Sequence, residues 1–278
     1  MISTIKENLF LLPKFWIEYR LNKGKVKSFR HGNVAMFHFG RCGSTILANM
    51  LSQHPDIYWD GEVFEQMRVG SLIELKITKD PIKLLDIKLH AKKCKFYGFE
   101  TKAFKEEHLR KDLLNMRFEQ YFQELLKLGF GKFILLKRNN YLRQMLSLYM
   151  GWKAKVWHIK QNERFKEQKV ILDVKDTKIG NTTKPTLLHL FEDFDNYYAI
   201  IESSVKGYDN LILSYEDDVL PDPMIGYSKI CSFLGAGSFP AEINLKKTNT
   251  QALSEAIENF DEIKEILIGT KYEWMLTD

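Results

Sequence analysis

The stretch "NVAMFHFGRCGSTILANMLSQHP" (33–55) constrains the fold more than any other part of the chain. Its first part, "NVAMFHF", is a nearly unbroken apolar run and reads as a strand covered on both faces. Its last part, "STILANMLSQH", places Leu47, Met50 and Leu51 at helical spacing. Only Gly40-Arg41-Cys42-Gly43 lies between them. A strand that passes so quickly into a helix belongs to a crossover unit, which needs a parallel neighbour strand. Three more short apolar runs follow: "KFYGFE" (95–100), "KFILLK" (132–137) and "NLILSY" (210–215). Helical patterns at 44–53, 115–128, 141–158, 185–206, 223–234 and 253–268 alternate with them. The alternation predicts an α/β fold, a three-layer α/β/α domain around a central parallel sheet, spanning the whole of 1–278.

The loop after the first strand then falls at the carboxyl end of a parallel strand and at a helix N-terminus. An open α/β sheet binds ligands there. Free N–H groups and the helix dipole favour an anion. Gly40 and Gly43 allow close backbone approach, Ser44 and Thr45 add hydroxyls, and Arg41 adds a charged fork. The turn reads as a phosphate cradle of P-loop type. It departs from GxxxxGK[ST] in having Ser44 where that motif has lysine, directly after Gly43. No strand ends in a clear magnesium-binding Asp. The cradle is therefore expected to hold its anion without a metal.

"GRCGSTILANMLSQHPDIYWDGEVF" (40–64) resembles the 5′-phosphosulfate loop of sulfotransferases that use 3′-phosphoadenosine 5′-phosphosulfate (PAPS), in their carbohydrate-type and bacterial branch. The shared features are the Arg-x-Gly-Ser-Thr turn, the Leu spacing, His-Pro and Gly-Glu-x-Phe. "FILLKRNNYLRQMLSLYMGW" (133–152) resembles the family's 3′-phosphate site. The resemblance implies that Arg138 and Ser147, nine residues apart, grip that phosphate. It further implies that Arg41, Cys42, Gly43, Ser44 and Thr45 hold the phosphosulfate. "LKKTNTQALSEAIENFDEIKEIL" (245–267) is similar to the family's C-terminal basic loop, so Lys246, Lys247 or Asn249 would fold over the cofactor. "LSYEDDV" (213–219) is similar to a late core strand, which makes Tyr215 and Glu216 structural.

Sulfuryl transfer is mostly positioning and charge neutralisation, with a base to take the acceptor's proton. The resemblance points to Glu62 in "DGEVF" as that base, with Arg41 at the transferred group. Glu62 follows the first helix by a short turn and is read as a loop residue; Asp60 and Glu65 are its acidic neighbours. Rival bases are weaker: His38 reads as a core residue, His54 as a helix-end cap, and His158 and His189 flank a polar insertion. Lys102 follows a strand end and is read as a surface lysine with reach toward the acceptor. No Gly-x-Ser-x-Gly frame surrounds Ser44, so a nucleophile is not expected there.

The implied reaction moves the sulfuryl group of PAPS to a hydroxyl or nitrogen of a glycan, a glycolipid or a small natural product, leaving adenosine 3′,5′-bisphosphate. Two other readings fit the cradle: a P-loop kinase or nucleotide-binding protein without the usual lysine, and a non-catalytic sensor of the bisphosphate. A net charge of +5 is mild, and no Lys/Arg block is interleaved with aromatics, so nucleic acid is not an expected partner. Three well-separated cysteines, Cys42, Cys94 and Cys231, fit neither a disulfide scaffold nor a zinc site and suit a reducing, cytoplasmic setting. No apolar run is long enough to span a bilayer. Residues 1–32 read as a helical extension whose Ile5, Leu9, Leu12 and Trp16 suit packing on the domain or peripheral membrane contact. The charged stretch 160–184 lacks helical period and reads as an acceptor-side lid with a small hairpin around "KVILDV".

Overall fold

A computed structural model describes residues 17–22, 25–26, 28–68, 78–157, 159–160, 168–180, 182–246 and 251–277. In chain order the elements are β1 Gly32–His38, α1 Ser44–Leu51, β2 Ile57–Glu62, α2 Glu65–Arg68, α3 Pro81–Ala91 and β3 Phe96–Lys102. There follow α4 Phe118–Lys127, β4 Lys132–Lys137, α5 Tyr141–Ala154, β5 Ile159–Lys160, β6 Lys175–Ile179 and β7 Thr182–Thr186. The chain continues with α6 Leu187–Val205, β8 Asp209–Ser214, α7 Tyr215–Asp218, α8 Pro223–Leu234 and β9 Leu245–Lys246. The last elements are α9 Leu253–Ala256, α10 Phe260–Leu267 and a 3₁₀ turn, Glu273–Leu276.

Five strands form one parallel sheet in the order β2-β3-β1-β4-β8. Helices cover both faces, so the fold is the expected three-layer α/β/α. Alternate residues of β1 and β4 divide between two cores, as the strand period of two requires. Val34, Met36, Ile134 and Leu136 face α1 and α8. Ala35, Phe37, Phe133 and Leu135 face the side holding α3, α4, α5 and α6. Among the described residues no helix is long and apolar enough to cross a membrane.

This arrangement positions the site. After β1 the chain turns to α1 on one face, with Leu47, Met50 and Leu51 buried there. After the neighbouring β4 it turns to α5 on the other face, burying Leu142, Met145 and Leu146. Two adjacent parallel strands whose helices leave in opposite directions open a crevice at their carboxyl ends. The cradle loop and Arg138 stand on its two sides.

Several elements differ from the sequence reading. Ile57–Glu62, read as a turn and loop, is the edge strand β2. Its register on β3 shifts between Trp59 and Glu62, and Gly61 there has φ 61°. The resulting bulge bends the strand and re-aims Glu62. α5 ends at Ala154 rather than 158, because Lys155 takes a left-handed cap at φ 55°. The helix expected over 253–268 breaks into α9 and α10, since Ile257 bridges Val170 and Asn259 bonds both backbone groups of Leu172. That same pairing occupies "KVIL", so the hairpin forms downstream of "KVILDV", from β6 and β7. Of the N-terminal extension, residues 17–22 are helical and Tyr19 packs on Ile87 and Ala91 of α3. Ile5, Leu9, Leu12 and Trp16 lie outside the described residues.

Candidate anion and acid–base site

The cradle follows β1 with three left-handed residues: Gly40 (φ 84°), Arg41 (φ 54°) and Gly43 (φ 82°). From Arg41 through Cys42, whose φ is negative, to Gly43 the hand alternates, which turns successive N–H groups to one side and makes an anion-binding concavity. At Gly43 a side chain is excluded twice, since a Cβ would also lie 2.7 Å from Val219. Gly43 then caps α1 with no side-chain bond, leaving the first helical N–H groups for a ligand.

Two guanidinium groups, Arg138 buried and Arg41 half-buried, flank this concavity. Arg138, at the end of β4, donates Nη1 to Arg41 O at 2.7 Å and stacks 4.5 Å from the centre of the Tyr215 ring. Its Nε is buried and has no partner among the described residues. Arg41 donates Nε to Ser147 Oγ at 2.9 Å and Nη1 to Trp157 O at 3.0 Å. Burial, with Arg138 alongside, draws the Arg41 guanidinium down to about 10, so it stays charged near neutrality. Burial lowers Arg138 too. Two cations held together in low dielectric are costly unless an anion joins them.

The turn that carries Arg138 is clamped. The Glu216 carboxylate accepts the Asn139 and Asn140 N–H groups, each at 3.0 Å. Gln144 Nε2 ties α5 to the loop through Gly40 O at 2.7 Å. Trp157 folds back over Gly151, where a Cβ would meet its ring at 2.7 Å, and lies 5.7 Å from the Arg41 guanidinium carbon. Just beyond, β5 pairs antiparallel with β9, bringing 159–160 against Leu245–Lys246. The backbone of Lys246 is thus placed beside the segment following Trp157. Lys247, Asn249 and His158 lie outside the described residues.

On the other side of β1 stands an acid–base group. Lys102, at the end of β3, is largely buried and lies 2.8 Å from Glu62 Oε2 and 3.5 Å from Glu65 Oε2. Burial opposes its charge, but Glu62, Glu65 and Glu107 outweigh burial and raise its pKa. Its Cε comes within 3.7 Å of where a Gly40 Cβ would stand, which ties this group to the cradle. Asp60 faces elsewhere, accepting from Tyr97 Oη at 2.7 Å and meeting Lys88 at 3.4 Å. His108 is buried beside Glu65 at 3.4 Å, and burial lowers its pKa. Among the described residues two sets of side chains have the spacing of metal ligands: His38, Glu62 and Glu100, and Glu62, Glu65 and His108. Glu62 is common to both, and the Lys102 ammonium already faces it.

The predicted residues therefore come together with some changes of role. Arg41, Gly43, Arg138 and Ser147 meet in one crevice. Cys42 is fully buried within the loop, and Thr45 lies in the first turn of α1. Ser44 supplies a backbone N–H at the helix start, but its side chain is buried and bonded to Glu100. Lys102 is a member of the site and not a surface lysine. Tyr215 and Glu216 are also part of it, as the surface under Arg138 and the clamp on its turn. His189 sits in the first turn of α6, with its N–H capped by Thr186. Trp157 and Gln144 went unread; the small residue Gly151 one turn before the helix end was the available signal for Trp157. Compared with known proteins, the chain matches no family model and no curated sequence.

Proposed function

We propose that the protein is a PAPS-dependent sulfotransferase acting on a hydroxyl or nitrogen of a glycan, glycolipid or small natural product. One observation carries the reading: Arg138, buried, and Arg41, half-buried, sit together beside a helix N-terminus, and the Arg138 Nε has no partner among the described residues. A doubly anionic nucleotide, phosphorylated at both ends of its ribose, suits two such cations separated by the loop backbone.

The order of strands supports this reading. Arg41, Arg138 and the loop N–H groups would hold the cofactor at the ends of β1 and β4, which leaves the ends of β3 and β2 for the acceptor. The acceptor enters on that second side, where Glu62 and Lys102 stand. As its oxygen or nitrogen bonds to sulfur, the bond from sulfur to the phosphate oxygen breaks and that oxygen keeps the electron pair. Arg41, the loop N–H groups and Lys102 stabilise the charge that develops. Glu62 takes the acceptor's proton. The β6–β7 hairpin leans on the segment after Lys102, through Lys184 and Glu106 at 2.6 Å, and belongs to the acceptor side. The β5–β9 pair belongs to the cofactor side.

Calorimetric titration with adenosine 3′,5′-bisphosphate and with adenosine 5′-monophosphate tests the reading. The bisphosphate is expected to bind at least about tenfold tighter, the value of one charged hydrogen bond. Equal affinities, or no binding, would overturn it.

A further inference from the structure

A buried polar chain runs beneath the cradle and ends on its backbone. Trp59 Nε1 on β2 donates to Glu100 Oε1 on β3 at 2.9 Å. Glu100 also accepts the Ser44 hydroxyl at the start of α1. Its Oε2 lies 3.3 Å from His38 Nε2 on β1, an ion-pair distance without hydrogen-bond geometry. Nδ1 of the same imidazole accepts the Gly40 N–H at 3.0 Å. His38, Glu100, Ser44 and Trp59 are all buried.

Four polar groups packed this deeply among apolar neighbours are costly to desolvate. They join three strands, the loop and the following helix, and nothing in the proposed transfer step uses them directly. Their shared end-point is the first left-handed residue of the cradle. A backbone N–H that donates inward at Gly40 turns the loop over there and leaves the later N–H groups facing outward. Since Nδ1 accepts a proton-bearing group, it carries no hydrogen itself. Burial opposes a charge on the ring, but Cys42 and Glu100 outweigh it and raise its pKa to about 10. A hydrogen on Nδ1 would meet the Gly40 N–H head-on at 3.0 Å, so the ring keeps a single proton, on Nε2 toward Glu100.

We propose that His38 is a positioning residue, held by Glu100 in its Nε2–H form, which locks the cradle in its anion-binding conformation through the Gly40 N–H. The part that concerns the nucleotide rests on the sulfotransferase reading; the tautomer and the Gly40 bond do not. His38 acts on the cradle through the Gly40 backbone, so its effect is on cofactor affinity.

The wild-type protein, labelled with ¹⁵N, supplies the first measurement. Long-range ¹H–¹⁵N spectra should show His38 with its proton on Nε2 and a bare Nδ1, and the Gly40 amide should exchange more slowly than those of Arg41 and Cys42. A proton on Nδ1, or a Gly40 amide as fast as its neighbours, would overturn the proposal whatever the protein binds. The second measurement compares variants. In His38→Asn the amide oxygen replaces Nδ1 as acceptor, whereas His38→Gln reaches toward Glu100 and abandons Gly40. Titrated with adenosine 3′,5′-bisphosphate, His38→Asn should stay within about threefold of wild type, and His38→Gln should weaken by about tenfold, as for one lost hydrogen bond. Equal affinities of the two variants would overturn it, whether both match wild type or both are weak. If the wild type itself fails to bind the bisphosphate, the sulfotransferase reading falls and the Gly40 exchange rates in the two variants decide on His38. Slow exchange in His38→Asn and fast exchange in His38→Gln would support the lock.

Discussion

Glu62 owes its place to one bulge. Gly61 at φ 61° turns the carboxylate off the edge of β2 and toward Lys102, while Asp60 stays with Tyr97. Glu62→Gln keeps the shape and loses the proton acceptor. Turnover is expected to fall by about 10²–10⁴-fold, the usual share of a positioned base. Bisphosphate affinity should be nearly unchanged, because the carboxylate stands on the acceptor side of the loop. Steady-state kinetics at saturating cofactor and acceptor check both; retained turnover would send the search to Lys102 and His108. Arg138→Ala should cost ~1.5–3 kcal/mol of bisphosphate affinity, as for a charged hydrogen bond. Adenosine 5′-phosphosulfate, which lacks the 3′-phosphate, should lose less, though not nothing, because Arg138 also holds Arg41 O. Calorimetry on both ligands separates the two contributions. Equal losses would mean that Arg138 serves only the loop.

Among the elements, α5 does the most work, and its seat depends on α6 and the chain's end. Asp195 on α6 accepts from Tyr141 Oη at 2.7 Å, Tyr272 Oη at 2.8 Å and Lys271 Nζ at 2.6 Å. Burial would raise the Asp195 pKa, but Lys271, Tyr141 and Tyr272 outweigh it and hold it below 3.8. A carboxyl depressed in the folded state contributes stability above its unfolded pKa. That contribution is lost as pH falls from about 3.8 through the folded value. Asp195→Asn should therefore melt a few degrees below wild type at pH 7. The gap should narrow steadily once the pH drops below about 4. Thermal unfolding followed by circular dichroism across that range measures it; a gap that is constant with pH would show that the charge of Asp195 contributes nothing. The elements were legible where the residue pattern was local. β4 and α8 fall where their apolar runs and caps place them, whereas β2 was not seen, because "IYWDGE" is an edge strand carrying a bulge and has no clean alternation.

At the scale of the whole molecule, two charged groups are set apart along the sheet. Arg41 and Arg138 follow β1 and β4, with Glu216 after β8 holding the Arg138 turn, whereas Glu62 and Glu65 surround Lys102 beyond β2 and β3. In the proposed reaction, neutralisation of the transferring anion would come from guanidinium groups, loop N–H groups and one ammonium. Sulfotransfer is accordingly expected to survive exhaustive treatment with EDTA with less than about a twofold loss, far below the several kcal/mol that a catalytic metal supplies. Activity abolished by the chelator and restored by magnesium would favour a kinase-like reaction instead.

By itself the sequence determined the fold class and the place of the cradle. Both rest on local patterns: an unbroken apolar strand, two glycines and a helix start, repeated strand–helix alternation, and Arg138 at the end of such a strand. Tertiary structure alone decided which side chains share a space. That Ser44 turns inward to Glu100, that Lys102 meets Glu62, and that His38 bonds Gly40 all depend on the strand order β2-β3-β1-β4-β8. Only this order sets β3, remote in sequence, between β1 and β2. Side-chain chemistry across neighbouring strands is a long-range property, and no periodicity within one segment encodes it.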